Sequence, residues 1–217
     1  MRNLCKICVL CAFLGVAVNA QEINGVFVGF EAGAGEQSII LSSVGTENTV
    51  KNTAAVFGVK LGYKHFFLDW IGIRGYASVD YTESRYHTAT KEATETATSK
   101  SWRTGVLGNA IYSANIDALF NFYNSENIAA GAFVGLGIGG QTAFDSYYIY
   151  TDEVRTITDL YSDVKVGLRV NFANHGVDFI AKIPLNNATK TFHEAIGDIK
   201  AKYRQTYQVV LGYNFTF

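Results

Sequence analysis

The sequence predicts an all-β protein, a closed antiparallel transmembrane β-barrel of eight strands that follows a cleaved helical signal peptide. Three observations predict it. First, the C-terminal segment alternates: Tyr203, Tyr207, Val209, Leu211, Tyr213, Phe215 and Phe217 share one parity, and Arg204, Thr206, Gln208, Val210, Gly212, Asn214 and Thr216 the other. One face is apolar and aromatic and the other mostly polar or small, the period-2 pattern of a barrel strand. Second, hydrophobic residues make up 48% of the chain and aromatics 14%, yet no stretch after residue 20 has the roughly 20 apolar residues of a membrane helix. The best candidate, 128–138, is short and rich in glycine. A membrane chain without such helices must pair its backbone groups in a closed barrel. Third, the alternating segments are joined by short and long links in turn.

Residues 1–20 carry a basic start (Arg2, Lys6), an apolar run over 7–18 and the ending Val18-Asn19-Ala20. The run is too short to span a bilayer, so it is read as a secretory leader cleaved before Gln21, with 21–217 as the barrel. Cys5, Cys8 and Cys11 all lie in the leader, which leaves the mature chain without thiols. Cys11 follows Val9-Leu10 rather than a small residue, against lipidation. Loss of Arg2 and Lys6 with the leader takes 18 basic and 19 acidic residues to a mature charge of −3, with nothing to suggest a nucleic-acid partner.

The first strand, 23–34, sets Val26, Val28, Phe30 and Ala32 against Phe27, Gly29, Glu31 and Gly33. The second, 54–64, sets Phe57, Val59, Leu61 and Tyr63 against Gly58, Lys60, Gly62 and Lys64. The third, 70–82, opposes Ile71, Ile73, Ala77, Val79 and Tyr81 to Arg74, Tyr76, Ser78 and Asp80. The fourth, 108–122, opposes Ala114, Ile116, Ala118, Phe120 and Phe122 to Ser113, Asn115, Asp117 and Asn121. In the fifth, 128–143, Ala130, Ala132, Val134, Leu136 and Ile138 alternate with Gly131, Phe133, Gly135, Gly137 and Gln141. The sixth, 159–172, places Leu160, Val164, Val166, Leu168, Val170 and Phe172 outside and Tyr161, Asp163, Lys165, Arg169 and Asn171 inside. The seventh, 176–183, alternates Val177, Phe179, Ala181 and Ile183 with Asp178 and Lys182, and the C-terminal segment is the eighth. The charges share one face of each strand.

The links 65–69, 123–127 and 173–175 are short, and 35–53, 83–107, 144–158 and 184–200 are long and polar. That order predicts short periplasmic turns, long outer loops and both termini in the periplasm. The Thr-rich stretch 88–99 reads as a mobile loop. Aromatic residues fall at both ends: Phe66, Phe67, Trp70, Phe120, Phe122, Tyr123, Phe172, Phe215 and Phe217 at the periplasmic side, Tyr81, Tyr147, Tyr148, Tyr150 and Tyr203 at the outer side. Strands this long exceed the usual roughly five or six residues of a soluble sandwich.

Several segments resemble the Helicobacter-type outer membrane protein family. They are Gly62-Tyr63-Lys64-His65-Phe66-Phe67, Gly72-Ile73-Arg74-Gly75-Tyr76, Asn115-Ile116-Asp117-Ala118-Leu119-Phe120-Asn121-Phe122, Gly167-Leu168-Arg169-Val170-Asn171, His175-Gly176-Val177-Asp178-Phe179, Lys182-Ile183-Pro184 and Leu211-Gly212-Tyr213-Asn214-Phe215. The resemblance implies an outer-membrane barrel. Some larger members are adhesins and others have been called porins, and the long amino-terminal extracellular domain of the adhesins is not found here. By the same resemblance, Tyr213, Phe215 and Phe217 present the signal read by the barrel-assembly machinery.

The inward parity carries Glu31, Lys60, Arg74, Asp80, Asp117, Lys165, Arg169, Asp178, Lys182 and Arg204. An eight-stranded barrel is only wide enough for side chains to fill, and ions in a low-dielectric space must pair. The expected arrangement is a salt-bridged plug. Glycines 135, 137, 139 and 140 alternate with bulky residues within a strand, so they are not a phosphate loop, which needs a following helix. They are read as room for lumen partners such as Tyr76 or Arg169. Pro184 is expected to end ladder pairing.

The reading is an integral outer-membrane scaffold whose surface loops serve interaction or adhesion. Its partners are outer-membrane lipid and lipopolysaccharide, the assembly machinery, and a host or surface ligand. A porin-like passive channel is the alternative, followed by a loop-borne lipid-modifying enzyme using Glu83, Ser84 and His87. No catalytic residue, metal site or cofactor is assigned, since His65, His87, His175 and His193 lack ligand spacing.

Overall fold

A computed structural model describes residues 23–43, 46–94, 97–125, 128–145, 155–194 and 197–217. The leader and Tyr147, Tyr148 and Tyr150 lie outside the described residues. The strands are β1 (Gly25–Ser43), β2 (Thr46–Leu68), β3 (Ile71–Thr94), β4 (Ala97–Asn124), β5 (Ala129–Asp145), β6 (Arg155–Phe172), β7 (His175–Pro184), β8 (Ala188–Glu194) and β9 (Gly197–Thr216). Each pairs antiparallel with its neighbour, and β9 returns to β1, so the sheet closes. The barrel has eight staves because β7 and β8 lie end to end along β9.

Alternation sorts the side chains as expected of a wall with lipid outside. Phe30, Val59, Leu61, Val79, Ile116, Leu136, Leu168, Phe179 and Leu211 are exposed, while their strand neighbours are buried or half-buried. Along β7 the two classes alternate almost without interruption. Phe67, Trp70, Phe122, Tyr123 and Phe217 ring the short-turn end, and Tyr81 stacks with Phe144 at 6.2 Å near the other. Phe66 departs from the expected girdle: it turns inward and packs on the lumen core, next to a register shift that leaves Phe67 as the extra residue. The turn between β6 and β7 needs only Ala173 and Asn174, and Ala173 takes a φ of 51°. A two-residue hairpin turn of this hand requires such a conformation.

Two expectations are corrected. The segments 35–53 and 83–107, expected as loops, are largely strand: β1 and β2 stay paired out to Ser43 and Thr46, and β3 and β4 out to Thr94 and Ala97. The Thr-rich stretch is therefore paired over 88–94 and 97–99. Polar composition there reflects water on both faces, while β-branched Thr and Val still favour extended backbone. The segment 184–200 likewise forms the β8–β9 hairpin.

The second correction concerns β9. Between β1 and β9 the register shifts, with Glu36 opposite Tyr207 but Gln37 opposite Gln205, so Thr206 is an extra residue. A bulge of this kind reverses the parity of everything beyond it. Tyr203, expected outside, is buried, and Arg204, expected in the lumen, is exposed.

Pro184 is the last residue of β7, paired with Asp163. Beyond it no β6–β8 ladder forms among the described residues. The edges are instead joined by single bonds: Leu185 N–H donates to the Ser162 carbonyl at 2.8 Å, and Thr189 N–H to the Asp159 carboxylate at 3.2 Å.

Candidate functional site

The interior is the most structured chemical feature of the barrel. Alternation places Glu31 on β1, Lys60 on β2, Arg74 and Asp80 on β3, Asp117 on β4, Lys165 and Arg169 on β6, and Asp178 and Lys182 on β7, and all are buried. Asp163 and Lys64, also on inward parity, join them.

Asp178 is the hub. Its Oδ2 accepts from Arg74 Nη1 at 2.7 Å, Asn214 Nδ2 at 2.9 Å and Lys60 Nζ at 3.4 Å. Arg74 also reaches across its own ladder pair, donating from Nε and Nη2 to Asp117 Oδ2 at 2.9 and 2.7 Å. Its guanidinium lies 4.8 Å from the centre of the Phe133 ring and 5.4 Å from that of Tyr76. Planar charge on aromatic faces suits arginine, which is weakly hydrated and easier to bury than lysine. Lys60 continues the chain to Glu31 at 3.6 Å. Glu31 is shared with Lys182, which also pairs with Asp80 at 2.9 Å. Lys165 pairs with Asp163 at 2.8 Å and donates to Asn115. Tyr161 donates its hydroxyl to Asp163 at 3.0 Å. Arg169 stands opposite Asp178 in the β6–β7 ladder and over the Phe66 ring.

Eight of the ten charges expected in the lumen thus fall into ion pairs, and Arg169 lies beside them. Arg204 alone is on the other side of the wall, for the reason given by the Thr206 bulge. Lys and Asp at this depth are stable only when paired, because an uncompensated ion in a low-dielectric interior is costly.

Gly135 and Gly137 of β5 make room for the network rather than for Tyr76 or Arg169, and Gly139 and Gly140 lie against Tyr112. A Cβ at Gly135 would overlap the Asp117 carboxylate, and one at Gly137 would overlap Asp163 and Asn115 and lie 2.6 Å from Lys165 Nζ. Tyr76 is accommodated by Gly62 across the β2–β3 ladder.

Two apolar clusters escaped the sequence reading. Val56, Leu119, Phe133, Ile180 and Val210 pack together inside the barrel. Ile39, Leu107, Ala143, Ile157, Ala188 and Tyr203 come from six strands and pack together toward the end of the barrel away from the short turns. Gln37 ties this cap together: it donates to Ser84 Oγ at 2.5 Å and the Leu107 carbonyl at 2.8 Å, and accepts from Tyr203 Oη at 2.7 Å and Thr82 Oγ1 at 3.1 Å. Single inward apolar residues such as Ile180 break the polar parity, and Ile39, Leu107, Ile157 and Ala188 of the cap lie in segments read as loops.

Ser84 is therefore a buried structural hydroxyl. Glu83 is engaged on the wall with Arg85 and Tyr81, both at 3.3 Å. The side chain of His87 lies outside the described residues. At the other end, His175 Nδ1 is 2.5 Å from Tyr213 Oη, and Phe215 packs edge-on against both His175 and Phe217. Tyr213 also tilts against Phe30 at 5.2 Å.

A profile of the Helicobacter outer membrane protein family matches residues 58–217, most of the chain. The chain belongs to that family. It is an outer-membrane β-barrel. No curated protein matches the chain by sequence. Among solved structures, it is similar to Ail, the attachment invasion locus protein of Yersinia pestis (16% identity, 89% of this chain and 100% of that one, TM-score 0.40). It is also similar to Neisserial surface protein A (15%, 89% and 97%, 0.41) and to the outer membrane protease OmpT of Escherichia coli (8%, 94% and 99%, 0.47).

Proposed function

We propose that this member of the Helicobacter outer membrane protein family is a non-conducting, non-enzymatic scaffold that holds its long hairpins at the cell surface for interaction or adhesion. The supporting observation is how little of the lumen water can touch: Asp117 is 0% exposed, Lys165 1%, Asp178 1% and Lys182 2%. A path wide enough for solute would leave its lining groups accessible. Most of the buried charges stand in ion pairs with one another, and the far end is capped by apolar side chains. In planar bilayers the purified barrel is expected to give no reproducible large open conductance. A stable, large conductance step would overturn the plug.

Both termini lie in the periplasm in this reading, with the leader removed before Gln21 and the hairpins of β1–β2, β3–β4 and β8–β9 outside. Tyr213, Phe215 and Phe217 serve as the assembly signal, which fits their clustering at one edge of the barrel. Deleting Phe217 is expected to lower the folded, heat-modifiable fraction in the outer membrane. Undiminished assembly removes that role.

A further inference from the structure

The bulge at Thr206 does more than bury Tyr203. It turns the even positions of β9 outward beyond that point, so Lys200, Lys202 and Arg204 stand on one line along the outer wall. In the neighbouring strands Arg204 is level with Ser38 of β1 and, through it, with Lys51 of β2. Lys51, Lys200 and Arg204 are exposed and Lys202 is half-buried. None of the four is in an ion pair among the described residues. Glu36, two residues from Ser38 on the same face of β1, accepts a hydrogen bond from Thr206 at 3.1 Å. Across from Lys200 stand Ser42 and Thr191, across from Lys202 stand Ile40 and Thr189, and Glu47 of β2 is level with Ser42.

Height decides what such a patch meets. Tyr207, Val209 and Leu211 are exposed directly below it and form the lipid-facing wall. With about 3.3 Å of rise per residue and a tilt of about 40°, Arg204 stands roughly 8 Å above Tyr207 and Lys202 roughly 13 Å above it. The polar layer of a bilayer begins at the edge of the hydrocarbon and is about 5–8 Å deep on each side. Flexible Lys and Arg stems reach down into it. Alternate residues on one strand place these cations roughly 7 Å apart, a spacing that lets two of them bracket one phosphate.

We infer that Lys200, Lys202, Arg204 and Lys51 form a docking surface for the phosphate groups of the outer-leaflet glycolipid, whose acyl chains lie on the wall below Tyr207. The inference rests on the outward orientation of the long hairpins proposed above. A phosphorylated lipid, rather than a sulfated glycan, is the occupant because the cations continue the lipid-facing wall instead of standing at a hairpin tip.

The test uses the full barrel folded in detergent. Native mass spectrometry measures its binding of bis-phosphorylated lipid A, of the dephosphorylated lipid and of a heparin fragment. The phosphorylated lipid is expected to bind about tenfold or more tightly than the dephosphorylated one, and the double variant Lys202→Glu/Arg204→Glu to lose that preference while keeping heat-modifiable migration. Equal binding of the two lipids, an unchanged preference in the double variant, or displacement of lipid A by the heparin fragment overturns the site. Should the double variant not fold, Lys202→Gln/Arg204→Gln takes its place and must lower the preference. Orientation is tested separately: Lys200→Cys on intact cells is expected to react with a membrane-impermeant thiol reagent. Absence of labelling there, with lipid preference intact in detergent, refutes the orientation and leaves the phosphate site standing.

Discussion

Replacing Asp178 with alanine is expected to destabilise the folded barrel by about 3–5 kcal/mol, the range found when one partner of a buried ion pair is removed. The carboxylate is shared by Arg74, Lys60 and Asn214, so its loss leaves a guanidinium with Asp117 alone and a lysine with Glu31 alone. Neither cation can turn to water, since both lie deep in the lumen. Urea unfolding from lipid vesicles, followed by the fluorescence of Trp70 and Trp102, measures the loss. Pairing Asp178→Ala with Arg74→Met should cost less than the two single changes summed, because their mutual ion pair is then lost once rather than twice, while Asp117 still loses its cation. A single-variant loss below about 1 kcal/mol would mean that the network is hydrated and the lumen is not the low-dielectric space described.

Replacing Tyr203 with alanine is expected to cost about 3–5 kcal/mol, the scale on which large aromatic side chains are lost from a core. The ring leaves the apolar cap beside Ile39, Leu107, Ala143, Ile157 and Ala188, and Gln37 loses the hydroxyl that donates to it. Deleting Thr206, by contrast, is expected to cost only about 1 kcal/mol or less, because it heals the bulge: Tyr207 then joins Gln205, Gln37 stays opposite Gln205, Tyr203 stays inside and Arg204 stays outside. Denaturation midpoints for the two variants separate them, and a deletion as damaging as Tyr203→Ala would show that the outer part of β9 depends on the bulge itself and not only on the faces it sets.

Much of this architecture is legible in the sequence because lipid imposes a period of two. Within the lipid-facing span of β2, β3, β5 and β6 the outward positions had to be apolar, and the charges of that span had to face inward. The residues at which that rule stops working are the ones misread. Above the hydrocarbon, water lies on both sides of the wall, so Thr49, Thr53 and Thr98 give no alternation by which to recognise a strand. The bulge leaves no mark in composition, since Thr206 is an ordinary β-branched residue, and only the partner register reveals that Tyr203 and Arg204 have exchanged faces. Gln37 was passed over for a related reason: a lone glutamine in a polar segment reads as solvated surface until four partners are seen around it.

The join between β1 and β9 carries a consequence for timing. The Phe217 N–H bonds the Val26 carbonyl at 2.9 Å, so strands separated by nearly the whole chain are hydrogen-bonded neighbours. Until they meet, each carries an open edge that hydrocarbon does not tolerate. No sequence-local fragment can therefore settle in the membrane ahead of the rest, and entry is an event of the whole polypeptide, slow because its deciding contact is also its most distant. The same adjacency offers a handle on that event. A short linker across the join, with the chain reopened between β4 and β5, would leave every stave in place while making a different pair of strands the last to meet.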